Sequence, residues 1–391
     1  MHGLRNALTE LLDSVEADPS VPRRLARQLG VNKNLAWKAA KIVSTPDAAE
    51  ALPHVPGRAG LKIFLEAMER AGASTDALRA AREACDAFDT MVELHAGDRG
   101  TLELMVGSSF PGGAESPLQE ANRKLSFQGN SSTWGVQARV RFGAQFVAPC
   151  AEDPTVIDYA SIGGLCDFRR LRGDAKWPLS FNVRYDGEGR RKDDVAKPIE
   201  RSLEGRDGPA FLLDHCTDPL PEIRAVEVPL GTVYELAEGE VGNTAAFSCA
   251  FAWFVRREQS VYGNDDEPSV AYNIPLNTPT ELATMDLLIH KDVPWELPPR
   301  VEVTSRMEIG VGGGSYKQSP YLLPVPPRLE ELGPGRDQLG GNEVPRWTEM
   351  LGKVCQRLDW NLDDFRVFRM SLRYPPIPTI PSLVVTKPRR G

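Results

Sequence analysis

No CxxC pair occurs in this chain, and no histidine stands near a cysteine at metal-ligand spacing. The six cysteines, Cys85, Cys150, Cys166, Cys216, Cys249 and Cys355, are scattered, so reduced structural thiols of a cytosolic protein are expected, with no metal and no cofactor. Long apolar runs are also missing. The longest, Thr244 to Val255 (TAAFSCAFAWFV), falls far short of the roughly 20 residues a membrane helix needs and suits a buried strand. The first residues, MHGLRNALTELLD, mix charge with leucine and lack the apolar core of a signal peptide, so a cytoplasmic location without membrane contact is the expectation. At 391 residues the chain is longer than one core usually serves, and two or three domains are expected. A local absence is the most informative. From Val21 to Thr45 there is no Asp or Glu, but there are Arg23, Arg24, Arg27, Lys33, Lys38 and Lys41, in a chain whose formal net charge is −8.

Periodicity divides the chain. Up to about residue 106 apolar residues recur at helical spacing: Leu4, Leu8, Leu11, Leu12 and Val15 form one stripe, and GRAGLKIFLEAMERAG and TDALRAAREACDAFDTMVELHAG predict two longer helices, each closing at a glycine. Beyond about residue 107 the period becomes two. Val136, Ala138, Val140, Phe142, Ala144 and Phe146 alternate with Gln137, Arg139, Arg141 and Gln145, the pattern of a half-buried strand. RVEVTSRMEIGV and VFRMSLRY repeat it. RYDGEGRRK and VYGNDDEP supply turn chemistry between strands, and proline is frequent. The expected fold class is α+β: residues 1–48 and a helical connector 49–106, then a large antiparallel β-rich sandwich or barrel over 107–391. Residues 326–347 read as an exposed loop, and the proline-rich end, RYPPIPTIPSLVVTKPRRG, as an extended surface arm or an arm packed on a partner.

In the basic stretch, Leu25, Ala26 and Leu29 fall on one side of a short helix that Ser20 is placed to cap, with Pro22 in its first turn. Gly30 permits a left-handed turn, Val31 plugs the core, and Asn32 is placed to cap a second helix running to about Ser44. This stretch resembles the helix-turn-helix of bacterial and phage transcriptional regulators, with Ala26 as the small residue four positions before the turn glycine. The resemblance implies that the second helix enters the major groove of double-stranded DNA. It assigns base and groove contacts to Asn32, Lys33, Asn34, Trp37, Lys38 and Lys41, and backbone contacts to Arg23, Arg24 and Arg27. Ala36 departs from the pattern, because a branched apolar residue is usual there. Tight helix packing, or a shifted register burying Leu35 and Ile42, would accommodate it.

Chemistry elsewhere is sparse. Cys216 follows His215 directly, but neighbours on an extended chain point to opposite faces, which argues against a Cys-His nucleophile. His290 lacks further ligands at a recognisable spacing. The cluster Ile309–Lys317 lacks the following helix of a phosphate loop, and residues 107–117 read as a linker. The aromatic residues Trp134, Phe142, Phe146, Tyr159, Trp177, Phe181, Tyr185, Trp253 and Trp295 fit either core or pocket. The sequence thus predicts a DNA-binding regulator, more a binding protein than an enzyme, whose β-rich part senses a small-molecule ligand or makes a homo-oligomer. A hydrolase with a helical appendage and an assembly protein are the rivals.

Overall fold

A computed structural model of the chain describes residues 1–108, 117–183, 196–229, 231–306, 321–333, 339 and 343–390. RYDGEGRRK from Arg184 on, the 309–317 glycine cluster and most of the 107–117 linker lie outside the described residues. The chain is α+β and divides into two compact units, Met1–Gly113 and Ala114–Gly391.

Helices build the first unit: α1 (His2–Asp13), α2 (Pro22–Leu29), α3 (Lys33–Ser44), α4 (Ala48–Ala51), α5 (Arg58–Arg70), α6 (Thr75–Ala96) and α7 (Arg99–Ser108). Most of the predicted stripe is the buried face of α1: Leu4, Leu8, Leu11 and Leu12 join Leu25, Leu29, Ile42, Phe64, Met68 and Phe88 in one core, while Val15 follows the helix and packs only partly buried. Helix α6 starts at Ser74, whose hydroxyl accepts the Ala77 N–H, and ends at Gly97 with φ +79°. Side chains tie the connections down. Arg5 donates from Nη1 to Thr45 O at 3.0 Å, at the end of α3, and Arg99 donates to the carbonyls of Pro56 (2.8 Å) and Leu52 (3.2 Å).

The second unit opens with α8 (Pro117–Trp134) and continues as strands β1 (Val136–Pro149), β2 (Val156–Arg170), β3 (Trp177–Val183), β4 (Lys197–Pro198), β5 (Ile223–Val228), β6 (Gly231–Leu236), β7 (Phe247–Ser260), β8 (Ser269–Asn273), β9 (Thr280–His290), β10 (Glu296–Ser305), β11 (Arg328–Gly333), β12 (Phe365–Arg373) and β13 (Thr379–Thr386). Helix α9 (Trp347–Leu358) precedes β12. The main sheet has the order β11-β12-β9-β1-β2-β7-β4, antiparallel except for the parallel pair β1 and β9. Two smaller sheets, β10-β13-β8 and β3-β6-β5, complete the unit.

Both faces of the main sheet are covered, so alternation along β1 separates two packed environments. On one face Val140, Phe142, Ala144, Phe146, Ala252 and Leu288 pack with Trp347, Leu351 and Val354 of α9. On the other, Val147, Met285 and Leu287 meet Tyr272 and Leu383 of the β10-β13-β8 sheet, while Trp177 of β3 and Leu236 of β6 pack with Leu165 and Phe247. Between these two coverings the middle of β1, β2 and β7 floors a cleft.

Two segments differ from expectation. Residues 326–347 are not loop throughout: β11 pairs with β12 as an edge strand of the main sheet. The proline-rich end is the middle strand β13, with Leu383 and Val385 buried, not a surface arm. Pro381 is tolerated there because the sheet uses its carbonyl, which accepts the Ile274 N–H at 3.0 Å.

Candidate nucleic-acid interface

Helix α2 opens at Pro22, where a missing N–H costs nothing, and Val21 occupies the cap position. Ser20 does not cap it, contrary to the sequence expectation. Its N–H goes to Asp18 Oδ1 at 2.8 Å, and its hydroxyl and backbone bonds hold the Asp18 carboxyl below its ordinary value. At the other end Gly30 takes φ +64°, ψ +31°, and the Val31 N–H returns to Ala26 O at 3.1 Å, closing the helix and turning the chain. Asn32 then caps α3, its Oδ1 accepting the Asn34 N–H at 2.8 Å. That bond occupies the Asn32 acceptor and leaves the amide NH₂ as what it offers.

The alanines of α3 face inward. Ala36, Ala39, Ala40 and Ile42 are buried, and Leu35 is only partly so. The departure at Ala36 is therefore met by close packing of small residues rather than by burying Leu35 fully. At about 100° per residue, Lys33, Asn34, Trp37, Lys38, Lys41 and Ser44 occupy the opposite arc. All are exposed except Lys38, which is half-buried at the margin. Arg23, Arg24 and Arg27 are exposed on α2, with Arg27 Nε donating weakly to Arg23 O at 3.4 Å. Each of the nine residues singled out from the sequence thus lies on the surface of α2, the turn or α3.

None of Arg23, Arg24, Arg27, Lys33, Lys38 and Lys41 forms an ion pair among the described residues, whereas Arg58, Arg79, Arg82 and Arg99 of the same unit do. Trp37 is 39% exposed and meets the His54 ring edge-on, with centroids 5.1 Å apart. Sequence reasoning does not single out His54. Burial, then the charges of Lys41 and Lys38, hold its imidazole below the ordinary value, so it stays neutral beside the cationic face.

The second unit gives the nucleophile reading no support. Cys216 Sγ lies 3.3 Å from Leu212 O and 3.7 Å from Ala250 O, accepts the Ala250 N–H at 3.4 Å, and burial pushes its thiol up. Burial likewise pushes Cys85 up to about 11 and Cys166 and Cys249 up to about 12. His290 leans on Phe365 and Asp292, and no group of metal-ligating side chains occurs among the described residues. The aromatic residues separate by location. Phe142, Phe146, Trp177 and Trp295 are core, Trp134 is half exposed, Tyr185 lies outside the described residues, and Tyr159, Phe181 and Trp253 line the cleft together with Arg141 and Gln145. Neither His215 nor His290 lines it. No described helix is long and apolar enough to cross a membrane.

Comparison with known proteins finds no matching family model and no curated protein that matches this chain.

Proposed function

We propose that the first unit binds double-stranded DNA through α2 and α3, and that the chain is a transcriptional regulator whose β-rich unit senses a ligand or makes the oligomer. The observation that carries this is the arc of Lys33, Asn34, Trp37, Lys38 and Lys41 on a helix entered through the Gly30 turn, with cations that no carboxylate neutralises among the described residues. Such an arc presents donors at the end of a helix that fits the major groove. Arg23, Arg24 and Arg27 on the preceding helix supply phosphate contacts that position without reading sequence. The carboxylates elsewhere keep other surfaces off the duplex.

The test is a titration of the intact chain onto labelled genomic duplexes at several salt concentrations. Binding is expected to weaken steeply with salt, and removing one phosphate-binding cation is expected to lower the log–log slope by about 1. The Lys33→Glu, Lys38→Glu double variant is expected to abolish binding while its helical circular dichroism stays unchanged. Absence of binding at low salt, or wild-type binding by the double variant, sinks the reading.

A further inference from the structure

The cleft in the second unit has a volume of about 820 Å³, within the range of small-molecule sites. Its floor is the middle of β1, β2 and β7, where Arg141, Gly143, Gln145, Tyr159, Ser161, Gly163 and Trp253 share one face. Residues 179–182 of β3 form one wall, and β8 with the segment after it forms the other.

Arg141 is the cation of this floor. Its Nη1 donates to Phe142 O at 2.8 Å and to Gly164 O at 3.1 Å, which uses both hydrogens of that nitrogen and fixes the guanidinium plane. Nε and Nη2 have no partner among the described residues, and no carboxylate pairs with Arg141 there. Those two nitrogens form one edge of the guanidinium, two parallel N–H groups at the spacing of a carboxylate's oxygens. Gly163 lies against the guanidinium: a Cβ on it would stand 3.3 Å from Nη1, crowding it, and 3.7 Å from Nη2, an ordinary contact.

A second feature lies at the same floor. Gln145 is 8% exposed, its Nε2 donates to Asn273 O at 2.6 Å, and its Oε1 has no donor. A buried acceptor without a donor is costly, and a water carried in with a ligand would satisfy it. Tyr159 continues the floor as an aromatic wall, 5.3 Å from Trp253 and stacked at 6.0 Å on Tyr272. Ring faces of this kind favour a planar ligand.

We propose that this cleft binds a small aromatic carboxylate, its carboxylate on the Nε–Nη2 edge of Arg141 and its ring against Tyr159 and Trp253. One guanidinium matches one negative charge, and Glu258 at the rim disfavours a dianion. Burial, which holds the Arg141 guanidinium below its ordinary value, makes an anionic partner worth more there than at the surface. The inference does not depend on the DNA reading, because the binding is measured with no DNA present.

Calorimetric titration of the intact chain with 2-naphthoate, 2-naphthamide and 1-naphthyl phosphate tests it. Saturable naphthoate binding with a Kd of about 1 mM or tighter is expected, with the neutral amide at least about tenfold weaker and the phosphate weaker than naphthoate. Arg141→Lys keeps the charge but loses the fork and is expected to weaken naphthoate at least about tenfold. Arg224→Gln, on β5 away from the cleft, is expected to bind as wild type. Should Arg141→Lys fail to fold, Gly163→Ala crowds Nη1, shifts the guanidinium, and is expected to weaken binding. The proposal is overturned if naphthoate does not saturate, if the amide binds equally well, if the phosphate binds more tightly, or if neither variant weakens naphthoate.

Discussion

Two adjacent glycines of β2 serve opposite faces of one sheet. Gly163 makes room for the Arg141 guanidinium in the cleft, and Gly164 makes room for Phe142 in the core beneath α9. A Cβ at Gly164 would stand 2.2 Å from Cys249 O and 2.3 Å from Phe142 Cζ, so neither backbone nor ring could accommodate it without moving. Gly164→Ala is therefore expected to cost about 3 kcal/mol or more in urea unfolding, and a variant of wild-type stability would contradict this packing. Asp286 presents a different kind of sensitivity. It is fully buried, holds Arg369 through two bonds of 2.7 and 2.8 Å, and accepts the Trp347 indole N–H at 2.8 Å. Asp286→Ala is expected to cost about 3–5 kcal/mol, because it leaves the Arg369 charge buried beside an unsatisfied indole. A loss below about 1 kcal/mol in the same urea measurement would contradict this role for the three bonds. The sequence reveals little of either site. Arg141 and Gln145 stand at the polar positions of an alternating strand, and alternation tells which residues share a face but not what covers it.

For single elements, the turn between α2 and α3 is legible because its parts are local. Gly30, Asn32 and Pro22 act within a few residues of themselves, and the structure places each in the expected conformation. Ser20 misleads because its competitor, Asp18, lies just outside the helix. Helix α9 carries a readable stripe, Trp347, Met350, Leu351, Val354, Cys355 and Leu358, hidden behind a turn-rich segment. Strand β13 is not readable, since its prolines argue against a central strand and only its partners overrule them. The cationic arc of α3 also has a pH dependence to check. Burial, then Lys41 and Lys38, disfavour protonation of His54, whose depressed folded value means that the unfolded chain binds the proton first. His54 thus destabilises the fold as pH falls below about 6.5 and is without effect above it. A phosphate at Lys38 and Lys41 would cancel the repulsion and favour the imidazolium. Affinity at the proposed DNA site is accordingly expected to rise as pH falls below about 6.5, and His54→Gln to flatten the profile. A profile identical in the variant would remove His54 from the interface.

For the whole molecule, the cores are what divide the chain. The hydrophobic cluster that holds α1 to α7 draws on residues from Leu4 to Leu102, and the clusters around the main sheet begin at Val136. Cooperativity follows shared packing, so a division of the core is a division of the unfolding reaction. Calorimetry of the intact chain is expected to show two transitions, with Gly164→Ala lowering one and leaving the other in place. Charge reversal at the exposed Lys33 and Lys41 of α3 should move neither, since exposed substitutions away from packed features typically change stability by less than about 0.5 kcal/mol. Residues 1–106 made alone should keep their helical circular dichroism and the DNA binding proposed for them, and residues 117–391 alone should keep the proposed naphthoate binding. A single transition shifted as a whole by Gly164→Ala, or a first unit that unfolds when separated, would mean that stability is shared between the units.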